Sequence, residues 1–186
     1  YFSIEFGNNH PAATVTFEDI NKVFNDDDFQ LSATATSPII YRLISQTGTG
    51  TSLSGNTITI GSPGTVLIEA QAEGNADSGF GVGNTIATLT IGKADPSLSF
   101  NQVEIAGQST YNLSTSTNSD GGITYSLPGT TNGHTLSGEG NSILNSSGTT
   151  GAVQVQVSAA ESENFNAATT DGYFILTQTG ATQLGL

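Results

Sequence analysis

The fold is decided by residues 64–70, GTVLIEA, in which Val66, Ile68 and Ala70 stand at alternate positions. Successive side chains of a β-strand point to opposite faces, so this spacing predicts a strand with one buried face. The pattern returns at residues 151–157, GAVQVQV, where valines alternate with glutamines. The chain therefore carries one strand pattern twice.

Other segments also recur at nearly the same distance. Residues 15–20, VTFEDI, return as residues 98–103, LSFNQV, and residues 39–43, IIYRL, return as residues 123–127, ITYSL. A period of roughly 85 residues is the size of one small all-β domain. The chain is therefore predicted to contain two tandem all-β repeats.

Turn-forming residues separate the predicted strands. Gly, Pro and Asp cluster at residues 62–64, SPG, and at residues 120–122, DGG. Several short strands with turn signals roughly every ten residues predict a β-sandwich. The inward faces should share large apolar residues at alternating positions, and these are Phe17, Leu31, Tyr41, Ile58, Val66 and Ile68, then Phe100, Leu113, Tyr125, Val153 and Val155.

The joints between repeats set the predicted domain boundaries. Pro96 lacks an N–H and restricts Asp95, which predicts a short and stiff joint. Phe6 to Pro11 has the same Gly-to-Pro spacing. We therefore predict a terminal strand of a preceding repeat plus linker at residues 1–11. Repeat 1 follows at residues 12–93 and repeat 2 at 94–180, and residues 181–186 start the next linker or a tail. Alternatively, residues 1–6 form a strand that is donated to another copy.

Composition and charge exclude several kinds of partner. The chain has 16 acidic and 3 basic residues in 186, with a net charge of −13. Nucleic-acid phosphates need basic contacts, so no nucleic acid is expected. No apolar run reaches the roughly 18 residues of a membrane-spanning helix, so no membrane insertion is expected.

The residues that carry most catalytic chemistry are scarce. The chain has no Cys and two His, His10 and His134, which excludes zinc-ligand spacing. Ser residues surround His134, but no nucleophile-elbow motif accompanies them. We therefore predict no enzyme activity.

One acidic cluster is a candidate cation site. Asp26, Asp27 and Asp28 are adjacent in a predicted loop, and Ca²⁺ takes six to eight oxygen ligands. The competing interpretation is a solvated turn, because adjacent residues seldom all point at one ion. Glu73 and Asp77 form a second, weaker candidate. Any bound Ca²⁺ would stiffen the array, and no other cofactor is expected.

The opening of repeat 1 resembles a known family. Residues 18–33, EDINKVFNDDDFQLSA, are similar to the start of bacterial immunoglobulin-like surface repeats, which have a strand, an acidic turn and Phe-x-Leu-x-Ala. Residues 53–60, LSGNTITI, and 89–96, LTIGKADP, match in order. The resemblance covers residues 12–96 closely and 97–180 more loosely, since residues 104–108, EIAGQ, lack the acidic turn.

This resemblance implies a fold and a location. Such repeats are immunoglobulin-like β-sandwiches of giant secreted adhesins, notably gliding-motility and cell-surface adhesins of the Bacteroidota, and they carry no catalytic residues. The chain would then be extracellular, at a bacterial cell surface. Its partners would be neighbouring repeats of the same polypeptide and a surface glycan or solid substrate.

The sequence is compatible with three non-catalytic functions. The first is a repeat segment of a surface adhesin, acting as spacer or contact module in attachment or gliding. The second is a fibre or sheath subunit that polymerises by strand addition. The third is a carbohydrate-binding module of an exported enzyme, which would need an exposed aromatic ring. Most Tyr and Phe side chains stand at alternating strand positions, which predicts core packing instead.

Overall fold

The computed structural model describes residues 10–74, 79–101, 103–106 and 110–177. The chain divides into two compact units, Tyr1–Ala94 and Asp95–Leu186. This division lies one residue after the boundary that the sequence predicts between repeats 1 and 2. The strand expected at residues 1–6 and the tail at residues 181–186 lie outside the described residues.

Unit 1 is built from two sheets. Its strands are β1 (Ile20–Val23), β2 (Phe29–Gln30), β3 (Ile39–Gln46), β4 (Ser52–Ser54), β5 (Thr57–Thr59), β6 (Gly64–Ala72) and β7 (Gly83–Gly92). One sheet has the order β1-β7-β6-β3, and the other has the order β2-β5-β4. β1 runs parallel to β7, and the remaining pairs are antiparallel.

Unit 2 repeats this topology. Its strands are β8 (Leu98–Ser99), β9 (Val103–Ala106), β10 (Thr110–Asn112), β11 (Ser116–Thr117), β12 (Ile123–Ser126), β13 (Thr135–Ser137), β14 (Ile143–Asn145), β15 (Gly151–Ala159) and β16 (Ala168–Thr177), with a 3₁₀ turn at Glu139–Asn141. The main sheet has the order β12-β15-β16-β9, the second sheet β10-β14-β13, and β11 pairs with β8. β9 again runs parallel to its neighbour β16.

The two units agree in register as well as in strand order. Ile58 lies opposite Phe29 in unit 1, and Leu144 lies opposite Tyr111 at the corresponding place in unit 2. In both units a four-stranded and a three-stranded sheet share one core, which is the arrangement of an immunoglobulin-like β-sandwich. The prediction of an all-β chain with tandem immunoglobulin-like β-sandwich domains is confirmed.

The predicted core residues occupy the space between the sheets. Most of them are buried, including Ile58, Val66 and Ile68 in unit 1 and Val153 and Val155 in unit 2. The two partly buried ones, Tyr41 and Phe100, pack against the same clusters. The Tyr41 hydroxyl accepts a hydrogen bond from the Ala33 amide at 2.8 Å, which satisfies its polar end at the core boundary.

Backbone conformation explains why each repeated segment begins with glycine. Gly64 and Gly151 begin β6 and β15 with φ of +153° and +129°. A side chain rarely adopts this backbone conformation, whereas glycine does so freely. The GTVLIEA and GAVQVQV segments therefore share their first residue because both strands enter the sheet through the same turn of the backbone.

Candidate contact surfaces

The three adjacent aspartates have different surroundings. The Asp26 carboxylate accepts a hydrogen bond from the Val23 amide at 3.0 Å, and the Asp28 carboxylate accepts one from the Thr59 hydroxyl at 2.9 Å. Asp27 is exposed. Asp26 therefore closes the turn after β1, while Asp28 ties that turn to β5.

Within the described residues, the structure assembles no group of three or more His, Asp or Glu side chains able to hold a metal ion. Calcium binding at Asp26, Asp27 and Asp28 stays a prediction. Of the second candidate pair, Glu73 is exposed, and its carbonyl accepts a hydrogen bond from the Ser37 hydroxyl. Asp77 lies outside the described residues.

His134 is buried and hydrogen-bonded between two loops of unit 2. Its ring is 2% exposed, and Nδ1 accepts a hydrogen bond from the Ser147 amide at 2.9 Å. The Ser147 hydroxyl donates to the Asn132 carbonyl at 2.8 Å. The serine nearest this histidine therefore has its proton committed to the backbone, and the pair joins two loops of unit 2. His10 is exposed.

A second set of polar contacts orders the loops at one end of unit 2. Hydrogen bonds from the Ser162 hydroxyl and the Asn164 amide hold the pKa of Asp120 below its usual value. Asn164 Nδ2 lies 3.3 Å from Asp120 Oδ2, and Asn166 Nδ2 lies 2.7 Å from Asp95 Oδ1. These hydrogen bonds fasten neighbouring loops of unit 2.

The solvent side of the main sheet of unit 1 is unusually apolar. Large aliphatic side chains are exposed there, namely Ile40 (41%), Ile44 (51%), Leu67 (36%) and Ile86 (53%). Arg42 and Glu69 stand among them, because alternation along β3 and β6 points their side chains to the same side. These six residues are called the unit 1 outer face.

One ion pair lies on the unit 1 outer face. Arg42 Nη1 is 3.6 Å from Glu69 Oε2, and the Asn84 amide donates to Glu69 Oε1 at 2.7 Å. The Arg42 side chain is about half exposed, whereas Glu69 is mostly covered. The guanidinium is therefore free to reach a group outside the sheet while Glu69 is held in place.

The corresponding side of unit 2 carries one exposed aromatic ring, with the partly exposed Ile175 on one side of it and polar residues on the other. Tyr173 is 50% exposed in β16 and lies opposite Gln154 of β15. The next pair on the same face of these strands is Gln156 and Asp171, and the Gln156 amide donates a hydrogen bond of 3.2 Å to the Asp171 carboxylate. These four residues are called the Tyr173 patch.

Neither surface is predicted by the sequence patterns described above. Alternating strand positions assign most aromatic residues to the core, which holds for Phe174 but not for its neighbour Tyr173. A usable signal was present in the two repeated segments, since Leu67 of GTVLIEA stands where GAVQVQV has Gln154. An apolar residue on the outward side of an alternating strand indicates a contact surface when the second repeat is polar there.

Within the described ranges, no helix has the length and apolar character needed to cross a membrane.

No protein-family model and no curated protein sequence matches this chain. The PKD domain of human KIAA0319 is 14% identical with a TM-score of 0.36, over 50% of this chain and 91% of that chain. Extracellular domains 3–5 of Drosophila OTK are 13% identical with a TM-score of 0.39, over 88% and 60%. The fibronectin(III)-like modules of Clostridium thermocellum CbhA are 13% identical with a TM-score of 0.33, over 94% and 98%. The immunoglobulin-like fold of both units stands on their own strand order and register.

Proposed function

We propose that this chain is a non-catalytic repeat segment of a large secreted cell-surface adhesin, in which the units act as spacers or contact modules in surface attachment or gliding. The observation that supports it is the repetition of one pair of sheets, with the same strand order, in two units. Tandem sandwiches extend a chain away from its anchor by adding one unit at a time. The neighbouring repeats of the same polypeptide would be its first partners.

The distribution of charge supports the same proposal. A net charge of −13, from 16 acidic and 3 basic residues, makes copies repel each other over most of their surfaces. The acidic turn after β1 adds to this charge on the solvent side of unit 1. An extracellular spacer benefits from such repulsion because it limits nonspecific association between crowded copies at a cell surface.

Attachment can be measured by displaying the chain on a non-adherent carrier bacterium. We expect carriers that display it to remain on glass, on glycan-coated surfaces or on one another after a shear wash, several-fold above carriers that display an unrelated β-sandwich. Equal attachment of both carriers to every surface would remove the support for an adhesive function. Filaments of purified chain in electron micrographs would favour the fibre-subunit alternative.

The Tyr173 patch favours carbohydrate binding as a second candidate function. An exposed aromatic ring provides a flat apolar surface for a sugar ring, and the amides of Gln154 and Gln156 can bond sugar hydroxyls. No Lys or Arg follows Lys93 in the sequence, so unit 2 offers no cation to an acidic sugar. The candidate ligand is therefore a neutral glycan.

Tyr173→Ala should abolish binding to a neutral glycan that the chain retains on an array, because the ring provides the stacking surface. Tyr173→Phe should keep most of the binding, since it preserves the ring and removes one hydroxyl. Binding that survives the alanine substitution, or is lost equally in both variants, would argue against a stacking site at Tyr173.

A further inference from the structure

The outer faces of the two main sheets have equivalent strand pairing but carry side chains of different polarity. In unit 1, one row across the main sheet runs Arg42, Glu69, Ile86, whereas the matching row of unit 2 runs Ser126, Gln156, Asp171. In the neighbouring rows, Ile40 corresponds to Thr124 and Leu67 corresponds to Gln154. The sandwich thus folds with polar residues at these register positions, although Ile175 of unit 2 stands on the outer face where unit 1 has Thr90.

Three of the exposed aliphatic side chains of unit 1, Ile44, Leu67 and Ile86, stand at neighbouring register positions, and Ile40 lies beyond the row of Arg42 and Glu69. Ile86 of β7 lies opposite Glu69 of β6, and Leu67 of β6 lies opposite Thr88 of β7. Ile86 and Leu67 are therefore diagonal neighbours on adjacent strands. Such neighbours are about 7–8 Å apart, within contact range of long side chains. Ile40 and Ile44 flank Arg42 along β3. A contiguous apolar surface of this kind is a common mark of a protein contact.

The distribution of charge favours a second copy of this chain as the partner of the unit 1 outer face. The chain has 16 acidic and 3 basic residues, so two copies repel each other over most of their surfaces. The unit 1 outer face holds one of the three cations, Arg42, beside one carboxylate, Glu69, and is therefore neutral. Two copies can approach here without net repulsion between the two faces.

The same face is complementary to itself. In a two-fold arrangement through this face, the Arg42 of one copy would lie near the Glu69 of the other, and the surrounding aliphatic side chains would cover one another. Half of the Arg42 side chain is exposed and available to make this contact. We propose that the unit 1 outer face binds the same face of a second copy of this chain, forming a two-fold dimer.

The edge of the sheet favours contact through the face. β3 ends the sheet order, and its register shifts between Leu43 and Ser45, where Ile44 is the extra residue. A bulge and a charged residue on an edge strand both oppose strand-to-strand pairing. The association is therefore a closed face-to-face contact that stops at two copies.

Sedimentation velocity over a wide range of concentration tests the dimer. We expect the weight-average mass to rise from 19.0 kDa toward twice that value and then level off. The triple variant Ile40→Thr, Leu67→Gln, Ile86→Asp carries the residues that unit 2 has at the same register positions, and it should remain a monomer. Tyr173→Thr changes unit 2 to the residue of unit 1, and its association should equal that of the parent chain.

A charge swap provides a second test with little effect on the fold. Arg42→Glu should weaken the dimer by about tenfold or more, because it places two carboxylates side by side at the contact. Adding Glu69→Arg to that variant restores one charge of each sign and should restore association. Circular dichroism should show the same thermal unfolding for the doubly swapped variant and the parent chain.

Three outcomes would overturn the dimer. They are a parent chain that is monomeric at all concentrations, a triple variant that associates as well as the parent, and a mass that grows beyond two copies. This inference goes beyond the proposed function, and the two can fail separately. If carrier bacteria attach to glass or glycan surfaces without binding one another, the result would support the adhesin function and contradict the dimer.

Discussion

Phe174→Ala is expected to lower the free energy of unfolding of unit 2 by about 3–5 kcal/mol. The Phe174 side chain is 0% exposed, and its ring meets the Tyr111 ring edge to face with centroids 5.0 Å apart. The contact joins β16 of the main sheet to β10 of the second sheet, so the deletion leaves a cavity between the layers. Hydrogen exchange of the amides of β15 and β16 measures the loss.

The neighbouring residue is a matched control for Phe174. Tyr173 lies one position earlier on the same strand and points to the solvent side, where it is 50% exposed. Tyr173→Ala removes a ring of similar size and should change the free energy of unfolding by no more than about 0.5 kcal/mol. Equal losses at both positions would contradict the assignment of inner and outer faces of β16.

Ile68→Ala is expected to lower the free energy of unfolding of unit 1 by about 2–5 kcal/mol. Ile68 is 0% exposed in β6, between Leu43 of β3 and Ala87 of β7. It belongs to the core cluster that also contains Ile58 from the second sheet. Because both sheets contribute to this cluster, the cavity weakens the packing between layers, and exchange of the amides of β6 and β7 should report it.

Ile86 allows the same substitution on the opposite side of the same sheet. Its side chain is 53% exposed, so Ile86→Ala leaves no cavity, and at concentrations where the chain is monomeric it should change the free energy of unfolding of unit 1 by less than about 0.5 kcal/mol. If Ile86→Ala cost as much as Ile68→Ala, the outer face would be buried within the monomer. The proposed contact with a second copy would then have no free surface.

The strand pattern of both repeats could be predicted from the sequence. Val153, Val155 and Val157 alternate with polar residues, and all three are fully buried in the structure. Such alternation follows from the geometry of a single strand and needs no knowledge of its neighbours. The recurrence of whole segments also predicted that there are two units, because similar sequence patterns form similar sandwiches.

The candidate site was less predictable. Adjacent carboxylates at residues 26–28 allowed either one cation site or a solvated turn, and in the structure Asp26 bonds the turn after β1 while Asp28 bonds β5. The direction of a loop side chain depends on the donors that the rest of the fold brings near it. The sequence therefore indicated where charge is concentrated, and the fold directed each carboxylate.

The sequence by itself determined an all-β chain of two repeats with alternating buried positions, since these properties are local or follow from repetition. Only the tertiary structure decided which apolar residues stay in contact with water. Ile68 and Ile86 are chemically identical, and the first is buried because the second sheet covers its side of β6. Burial depends on which layer packs against a face, and that layer is formed by strands distant in sequence.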